Sequence, residues 1–197
     1  MKLFETAAKP SPTEKQPNFT HFHCRNTNIT PQRAGERRFK IRSMTTNDAA
    51  TIWGLARATG VLDENSAYLY LLLGRDFADT CLVAEEAGEL IGFSTGYVLP
   101  ANSEVLFVWQ VGVDPRHHRR GIGLQLLTEM ISRNRQVGVR FVEATVSPSN
   151  TASLGLFNRL AARHDCMCEP MAERGFAESL FPSGLHESEP ALRIGPF

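Results

Sequence analysis

A β-strand pattern, a turn, a basic glycine-containing loop and a helical pattern follow one another between residues 104 and 138. Residues 104–113 are rich in Val and aromatic side chains, which is typical of a buried strand. Asp114-Pro115 is a turn signal. Four apolar residues of the segment 121–138 fall on one helical face: Leu124, Leu127, Met130 and Ile131. This succession predicts an α/β domain with an anion site at the start of the helix.

The other segments predict a mixed α/β fold around this unit. Apolar periodicity indicates strands at 39–42, 80–85, 90–99, 140–146, 166–169 and 191–194, and helices at 49–58, 66–73 and 151–162. The resulting order is β-α-α-β-β-β-α-β-α-β-β. Antiparallel hairpins followed by a βαβα crossover predict a mixed, mostly antiparallel central sheet flanked by helices.

Charge and proline content divide the chain of 197 residues into two parts. Residues 1–40 carry eight Lys/Arg against three Asp/Glu, and the remainder carries 13 against 18. We therefore expect a flexible leader over 1–37 and a single domain over 38–197. The acidic body argues against a nucleic-acid partner. With no long apolar run and no apolar signal region, we predict a cytoplasmic protein without a membrane partner.

The cysteines and histidines of the chain do not form a metal or disulfide pattern. Four cysteines in a chain of this length, without an export signal, do not predict a disulfide framework. His21, His23 and Cys24 lie close together, but no second ligand pair accompanies them, so no metal is expected. Cys81 lies within an apolar strand pattern, which argues against a nucleophilic thiol.

The loop His118-Arg119-Arg120-Gly121-Ile122-Gly123 carries the anion site. A helix start offers unpaired backbone N–H groups, glycines allow close approach of a ligand, and the two arginines add positive charge. A pyrophosphate is the natural occupant. The loop lacks the Lys-Ser/Thr of a Walker A motif and the third glycine of a dinucleotide fingerprint. A basic cap on an ordinary helix is the alternative interpretation.

These residues resemble the phosphate loop of the GNAT superfamily of acyl-CoA-dependent N-acetyltransferases, Gln/Arg-x-x-Gly-x-Gly/Ala, with His118 at the Gln/Arg position. Asn150, Ser153 and Phe157 are similar to the family's second cofactor motif. In that motif an Asn contacts the pantetheine arm and a Tyr often protonates the leaving thiolate; here Phe157 takes the Tyr position. The resemblance covers residues 40–195 and implies a GNAT fold with acetyl-CoA as co-substrate.

The GNAT resemblance also implies which residues bind the cofactor. They lie at the end of the long strand, in the phosphate loop, at the start of the following helix, and at or within the later helix 151–162. The twelve expected residues are Val111, Val113, His118, Arg119, Arg120, Gly121, Ile122, Gly123, Leu124, Asn150, Ser153 and Phe157.

Four further blocks resemble one family within the superfamily, the diaminobutyrate acetyltransferases of ectoine synthesis. The blocks are residues 62–73, 92–97 with Pro100, 106–113 and 186–189. This resemblance implies that the substrate is a small diamine amino acid, L-2,4-diaminobutyrate, acetylated on its 4-amine. It also implies a homodimer.

Acetyl transfer requires a neutral amine, so a carboxylate or imidazole must accept a proton. Glu189 is the expected general base, with His186 as its partner or as a substrate contact; Glu104 is a less favoured base. Three residues are expected to bind the substrate: Asp63 by holding an ammonium group, Tyr68 through its hydroxyl, and Trp109 by shaping the pocket.

Each of these assignments has a structural alternative. Asp63 can cap the second helix, Tyr68 and Trp109 can be core aromatics, and Glu189 can be a solvated loop charge. At the level of function, two alternatives remain open. One is a GNAT enzyme for another small amine or a protein N-terminus. The other is a non-catalytic acyl-CoA-binding module, which Phe157 in place of Tyr favours.

Overall fold

The computed structural model describes residues 39–182 and 186–197. The leader expected at 1–37, with His21, His23 and Cys24, lies outside the described residues. In the described part, strands and helices follow the predicted order: β1 (Lys40–Ser43), α1 (Ala49–Thr59), α2 (Ala67–Asp76), β2 (Leu82–Glu86), β3 (Glu89–Leu99), β4 (Asn102–Val113), α3 (Ile122–Arg135), β5 (Phe141–Thr145), α4 (Thr151–Arg163), β6 (Met167–Phe176) and β7 (Glu189–Gly195).

The strands form one seven-stranded sheet in the order β1-β2-β3-β4-β5-β7-β6. Every neighbouring pair is antiparallel except β4–β5, which is parallel. The predicted mixed, mostly antiparallel sheet is therefore confirmed. Strand β6 extends to Phe176, well beyond the predicted end at residue 169. It lies at the sheet edge, where Pro170 and a mostly exposed, polar sequence are tolerated and leave no periodic signal.

Helices pack on both faces of the sheet, and the alternation of side chains along the strands divides the core in two. On one face, Leu82 and Ala84 of β2 pack with residues of α3 and α4. On the other face, Val83 of β2 and Phe93 of β3 pack with residues of α1 and α2. Because successive strand side chains point to opposite faces, one strand serves both halves of the core.

Strand β4 separates from its parallel neighbour after a short contact. The two strands pair only from Val105 with Phe141 to Phe107 with Glu143. On the β3 side the register shifts, because Gly96 pairs with Val108 and Thr95 with Gln110, which leaves Trp109 as an extra residue. Such a β-bulge bends the strand and redirects its side chains. The result is a cleft between the ends of β4 and β5.

The loop between α1 and α2 closes one side of this cleft. Helix α1 ends at Gly60, whose φ of 67° gives the left-handed C-cap that glycine adopts most easily. Ser66 caps α2 by accepting a hydrogen bond from the Tyr68 N–H. Between the helices, Gln110 Nε2 donates to the Asp63 carbonyl at 3.2 Å and Trp53 Nε1 to the Asn65 carbonyl at 3.2 Å. The first bond holds the loop against β4, and the second holds it against α1.

The helices of the described residues are amphipathic or short. None of them combines the length and the apolar character that crossing a bilayer requires.

Alanine substitutions at two helical glycines should have opposite effects on the free energy of unfolding. A Cβ at Gly74 would lie 2.6 Å from the Thr45 carbonyl carbon, so Gly74→Ala should lower the free energy of unfolding by about 1–3 kcal/mol through overpacking. Gly54 has no atom within 4 Å of such a Cβ, so Gly54→Ala should raise that free energy by up to about 1 kcal/mol. Urea denaturation measures both; equal effects of the two variants would contradict the packing of α2 on residue 45.

Candidate active site

A cavity of about 400 Å³ lies where β4 and β5 separate. Trp109 and Val111 of β4 line one wall, and Thr145 at the end of β5 lines the other. The α1–α2 loop contributes Asp63, and the segment leading into β7 contributes His186 and Glu189. The cavity therefore connects the open cleft between the strands to a group of charged side chains.

The charged group consists of Asp63, His186 and Glu189, whose ligand atoms lie within 4.8 Å of one another. His186 Nε2 lies 3.2 Å from Asp63 Oδ2 and 3.8 Å from Glu189 Oε1, and its Nδ1 lies 3.1 Å from the Glu187 carbonyl oxygen. The Glu187 carbonyl, followed by the Asp63 carboxylate, raises the pKa of His186 above its ordinary value. The imidazole ring thus lies between two carboxylates, at a position where a cation can bind.

Glu189 is the first residue of β7 and is not a solvated loop charge. Its side chain is 22% exposed, and its Oε2 accepts a hydrogen bond of 2.6 Å from Thr145 Oγ1. Its other oxygen, Oε1, faces His186. A carboxylate held on one side and open on the other is suited to receive a proton from a bound amine.

Asp63 does not cap α2, which the sequence allowed as an alternative, because Ser66 is the capping residue. The Asp63 side chain is 71% exposed and contacts His186 across the cavity. The structure brings together Asp63, His186 and Glu189, which the sequence analysis assigned to one site, although 123 residues separate Asp63 from His186.

The two predicted aromatic substrate contacts differ in position. Trp109, the extra residue of the bulge, is 45% exposed and lines the cavity, so it is not a core aromatic. Tyr68 is 63% exposed on α2, so it is not a core aromatic either, and it is not part of the described cavity wall. The buried tyrosine of this helix is Tyr70, which sequence reasoning did not single out. Substrate binding by Tyr68 stays a prediction.

Tyr70 is linked to the α1–α2 loop at the cavity wall through a chain of two hydrogen bonds. Its hydroxyl donates to Gln110 Oε1 at 2.8 Å, and the Gln110 amide donates in turn to the Asp63 carbonyl. Burial raises the pKa of Tyr70 and keeps the phenol protonated. A polar Gln within the apolar run 104–113 is the sequence signal for this support.

The start of α3 has the geometry of an anion site. Arg119 and Gly121 have positive φ angles of 62° and 74° on either side of Arg120, an alternation that can direct successive N–H groups toward one point. The first backbone N–H that donates within the turn is that of Gln125, to the Gly121 carbonyl. The N–H groups before it are those that a helix start leaves without intrahelical partners.

The loop at the start of α3 adjoins the cavity through Gly123. A Cβ at this position would lie 3.5 Å from both Val111 and Leu156, which line the cavity. These are ordinary van der Waals distances, so Gly123 lies directly beside two residues of the cavity wall. Unpaired N–H groups, positive charge and an adjoining cleft together fit the pyrophosphate and the pantetheine arm of coenzyme A.

The two arginines of the loop are not equivalent. Arg120 forms a two-pronged ion pair with Glu86, at 2.6 and 2.8 Å, so its charge is already compensated. Arg119 is exposed, and no residue of the described chain pairs with it. His118 Nε2 lies 3.1 Å from the Val113 carbonyl oxygen, which ties the loop to the end of β4. Of the two, Arg119 has the charge available for a phosphate.

The second predicted cofactor motif lies along the cleft. Asn150 caps α4 by accepting a hydrogen bond of 3.0 Å from the Ser153 N–H, and both residues line the cavity. Phe157, one helical turn further, is 4% exposed and forms part of both the core and the cavity wall. Its ring lines the cleft and has no acidic proton to donate.

Two other groups weighed from the sequence have no place in this site. Glu104 lies at the opposite end of β4, where it forms an ion pair of 3.5 Å with Arg140. Cys81 is buried in the core, and burial raises the pKa of its thiol to about 11. A thiol of that pKa is protonated at neutral pH, which argues against a covalent cysteine intermediate.

Comparison with known proteins places the chain in a family. The model of the acetyltransferase (GNAT) family matches residues 46–162. The L-2,4-diaminobutyric acid acetyltransferase of Shouchella clausii is 43% identical over 152 residues, which cover 77% of this chain and 84% of the relative. The enzyme of the same name from Streptomyces anulatus is 47% identical over 152 residues, which cover 76% and 85%.

A solved structure agrees with these matches. The diaminobutyrate acetyltransferase EctA from Paenibacillus lautus, in complex with L-2,4-diaminobutyric acid and coenzyme A, is 43% identical to this chain. The two superpose with a TM-score of 0.76, and the match covers 80% of this chain and 95% of that one.

Because Arg119 is exposed and Arg120 is paired with Glu86, substitutions of the two arginines should affect the binding of coenzyme A differently. Arg119→Gln should weaken binding about 3- to 10-fold, since an exposed charge contact contributes about 1 kcal/mol. The double variant Glu86→Gln/Arg120→Gln removes a neutral pair and should change affinity less than about twofold. Isothermal titration with coenzyme A measures both, and a double variant as weak as Arg119→Gln would contradict the assignment.

The environment of His186 predicts its titration. In ¹H–¹⁵N NMR the pKa of His186 should lie above that of an ordinary histidine, and Asp63→Asn should lower it by removing the facing negative charge. Glu64→Gln, which changes the next carboxylate of the same loop, is the control. Because the pKa of His186 is raised in the folded protein, its ion pair with Asp63 stabilises the fold at pH values below the ordinary pKa of histidine. This stabilisation is lost as the pH rises through the pKa of His186 in the folded protein. An unchanged titration in Asp63→Asn would contradict the contact.

Proposed function

The chain belongs to the GNAT acetyltransferase family and, within it, to the L-2,4-diaminobutyric acid acetyltransferases, and on this premise we propose that it transfers the acetyl group of acetyl-CoA to the 4-amino group of L-2,4-diaminobutyrate. The observation that carries the proposal is the group of Asp63, His186 and Glu189 at the end of the cleft between β4 and β5. Two carboxylates at this position suit a substrate with two ammonium groups.

Acetyl-CoA supplies the acetyl group as an activated thioester. The cofactor's pyrophosphate binds the loop 118–124 at the start of α3, and its pantetheine arm lies between Val111 on one side and Asn150, Ser153 and Phe157 on the other. The backbone N–H near Val111, in the part of β4 that has separated from β5, stabilises the charge that develops on the thioester oxygen.

Glu189 acts as the general base. It accepts a proton from the 4-ammonium group, directly or through water, so that the nitrogen lone pair can attack the thioester carbonyl. The C–N bond forms, the C–S bond breaks, and the electron pair leaves on the sulfur of CoA. The nitrogen then loses its second proton, directly or through water, to the departing thiolate, which becomes the thiol. A thiol has a pKa of about 8.5, so a thiolate is a stable enough leaving group to depart before it is protonated. No acidic side chain is therefore needed at position 157, where this chain has Phe.

Asp63, His186 and Trp109 select and orient the amine. Asp63 holds the ammonium group that does not react, and Trp109 shapes the pocket and offers an aromatic face to a cation. His186 occupies the cation position in the free protein and contacts the substrate in the complex. Holding the amino-acid end determines which nitrogen reaches the acetyl group, because proximity dominates the rate of attack.

We further propose that the enzyme works as a homodimer in the cytoplasm and that its product enters ectoine synthesis. Exposed apolar side chains on α2, Tyr68 and Leu71, supply surface that a second copy can cover. Sedimentation velocity should then give a single species of twice the chain mass; a single chain at micromolar concentration would contradict the dimer.

The test of the proposed function is CoA release with acetyl-CoA and L-2,4-diaminobutyrate, beside ornithine, lysine and 2,3-diaminopropionate, with NMR of the product. We expect strong preference for diaminobutyrate and acetylation at the 4-nitrogen. Glu189→Gln should lower kcat at least about 100-fold, as for the loss of a general base. Preference for another amine would overturn the substrate, and tight CoA binding with no transfer to any amine would indicate a non-catalytic binding module.

A further inference from the structure

Thr145, which sequence reasoning did not identify, makes the shortest described hydrogen bond to the proposed base. Its hydroxyl donates to Glu189 Oε2 at 2.6 Å. Hydrogen bonds between a hydroxyl and a carboxylate are shorter and stronger than those between neutral groups. The contact joins the end of β5 to the start of β7, and both residues line the cavity.

The register of the sheet places the two side chains together. Thr145 pairs with Ala191 in the antiparallel β5–β7 ladder, and the Val146 N–H donates to the Pro190 carbonyl at 3.1 Å. Glu189 lies two residues before Ala191, so its side chain shares a face with that of Thr145 and is its diagonal neighbour. The contact is therefore set by the backbone of two strands and does not depend on a mobile loop.

The carboxylate that accepts this bond is fixed in orientation. With Oε2 held by Thr145, Oε1 is directed toward His186 and the cavity. Rotation of the carboxylate, which would exchange its two oxygens, breaks the bond to Thr145. One defined oxygen is thereby presented to the amine.

The neighbouring acid Glu143 does not compete with Glu189 for Thr145. Glu143, two residues earlier on β5 and on the same face, is almost fully buried and forms ion pairs with Arg174 and Arg193. These two arginines compensate Glu143. The hydroxyl of Thr145 is thus available to Glu189.

We propose that Thr145 is a positioning residue for acetyl transfer, which holds the Glu189 carboxylate so that Oε1 receives the proton of the attacking amine. This inference rests on the proposed function, in which Glu189 is the base. Thr145 acts through Glu189 and needs no contact with the reacting atoms.

The first test compares a substitution that keeps the shape of Thr145 with one that keeps its hydroxyl. Thr145→Val keeps the shape and removes the hydroxyl, so kcat with diaminobutyrate should fall about 10-fold or more, as expected for the loss of a hydrogen bond to a charged group. Thr145→Ser keeps the hydroxyl and should stay within about threefold of wild type. The KM for acetyl-CoA should change in neither. A valine variant as fast as wild type, or a serine variant as slow as the valine variant, would overturn the inference.

The second test is a double-mutant cycle with Glu189→Gln. If Thr145 acts through the carboxylate, Thr145→Val should have no further effect on kcat once residue 189 is Gln. Additive losses would show that Thr145 contributes in another way and would overturn the inference. Full activity of Glu189→Gln alone would instead remove the proposed base, so failure of the proposed function and failure of this inference are distinguishable.

Discussion

The parallel contact between β4 and β5 is limited to three residue pairs, and the site depends on this limit. Up to Phe107 the two strands form one sheet with a continuous core. At Trp109 a single extra residue bends β4 and exchanges its faces: Leu106 and Val108 pack toward α3 before the bulge, and Val111 packs there after it. Strand ends that no longer pair offer their backbone groups to a ligand, which a closed sheet cannot do.

The charges around the cleft divide into a cationic end and an anionic end. At the start of α3, unpaired N–H groups and Arg119 favour phosphates, while the charge of Arg120 is compensated by its ion pair with Glu86. At the other end, Asp63 and Glu189 flank His186. The ring lies between two carboxylates, and both of them raise the pKa of His186. A substrate ammonium group can contact the same carboxylates when it binds.

Periodicity and capping signals predicted the order of the elements, because a strand or helix with one buried face repeats its apolar residues at a fixed spacing. The phosphate loop and the residues Asp63, His186 and Glu189 could be identified because they fall in short segments that resemble a family. Contacts between distant segments left no such signal. The pair between Glu86 and Arg120 depends on how a hairpin meets a helix start, and the bond between Thr145 and Glu189 depends on the register of β5 and β7. Neither can be inferred from local sequence.

The structure of a complex with coenzyme A and L-2,4-diaminobutyrate tests the central claim most directly. The account predicts that the pantetheine arm lies between β4 and β5, and that the 4-nitrogen of the substrate lies within hydrogen-bond distance of Glu189 Oε1. The second ammonium group should contact Asp63. Coenzyme A bound outside the cleft, or a 4-nitrogen remote from Glu189 with the cleft correctly filled, would contradict the account.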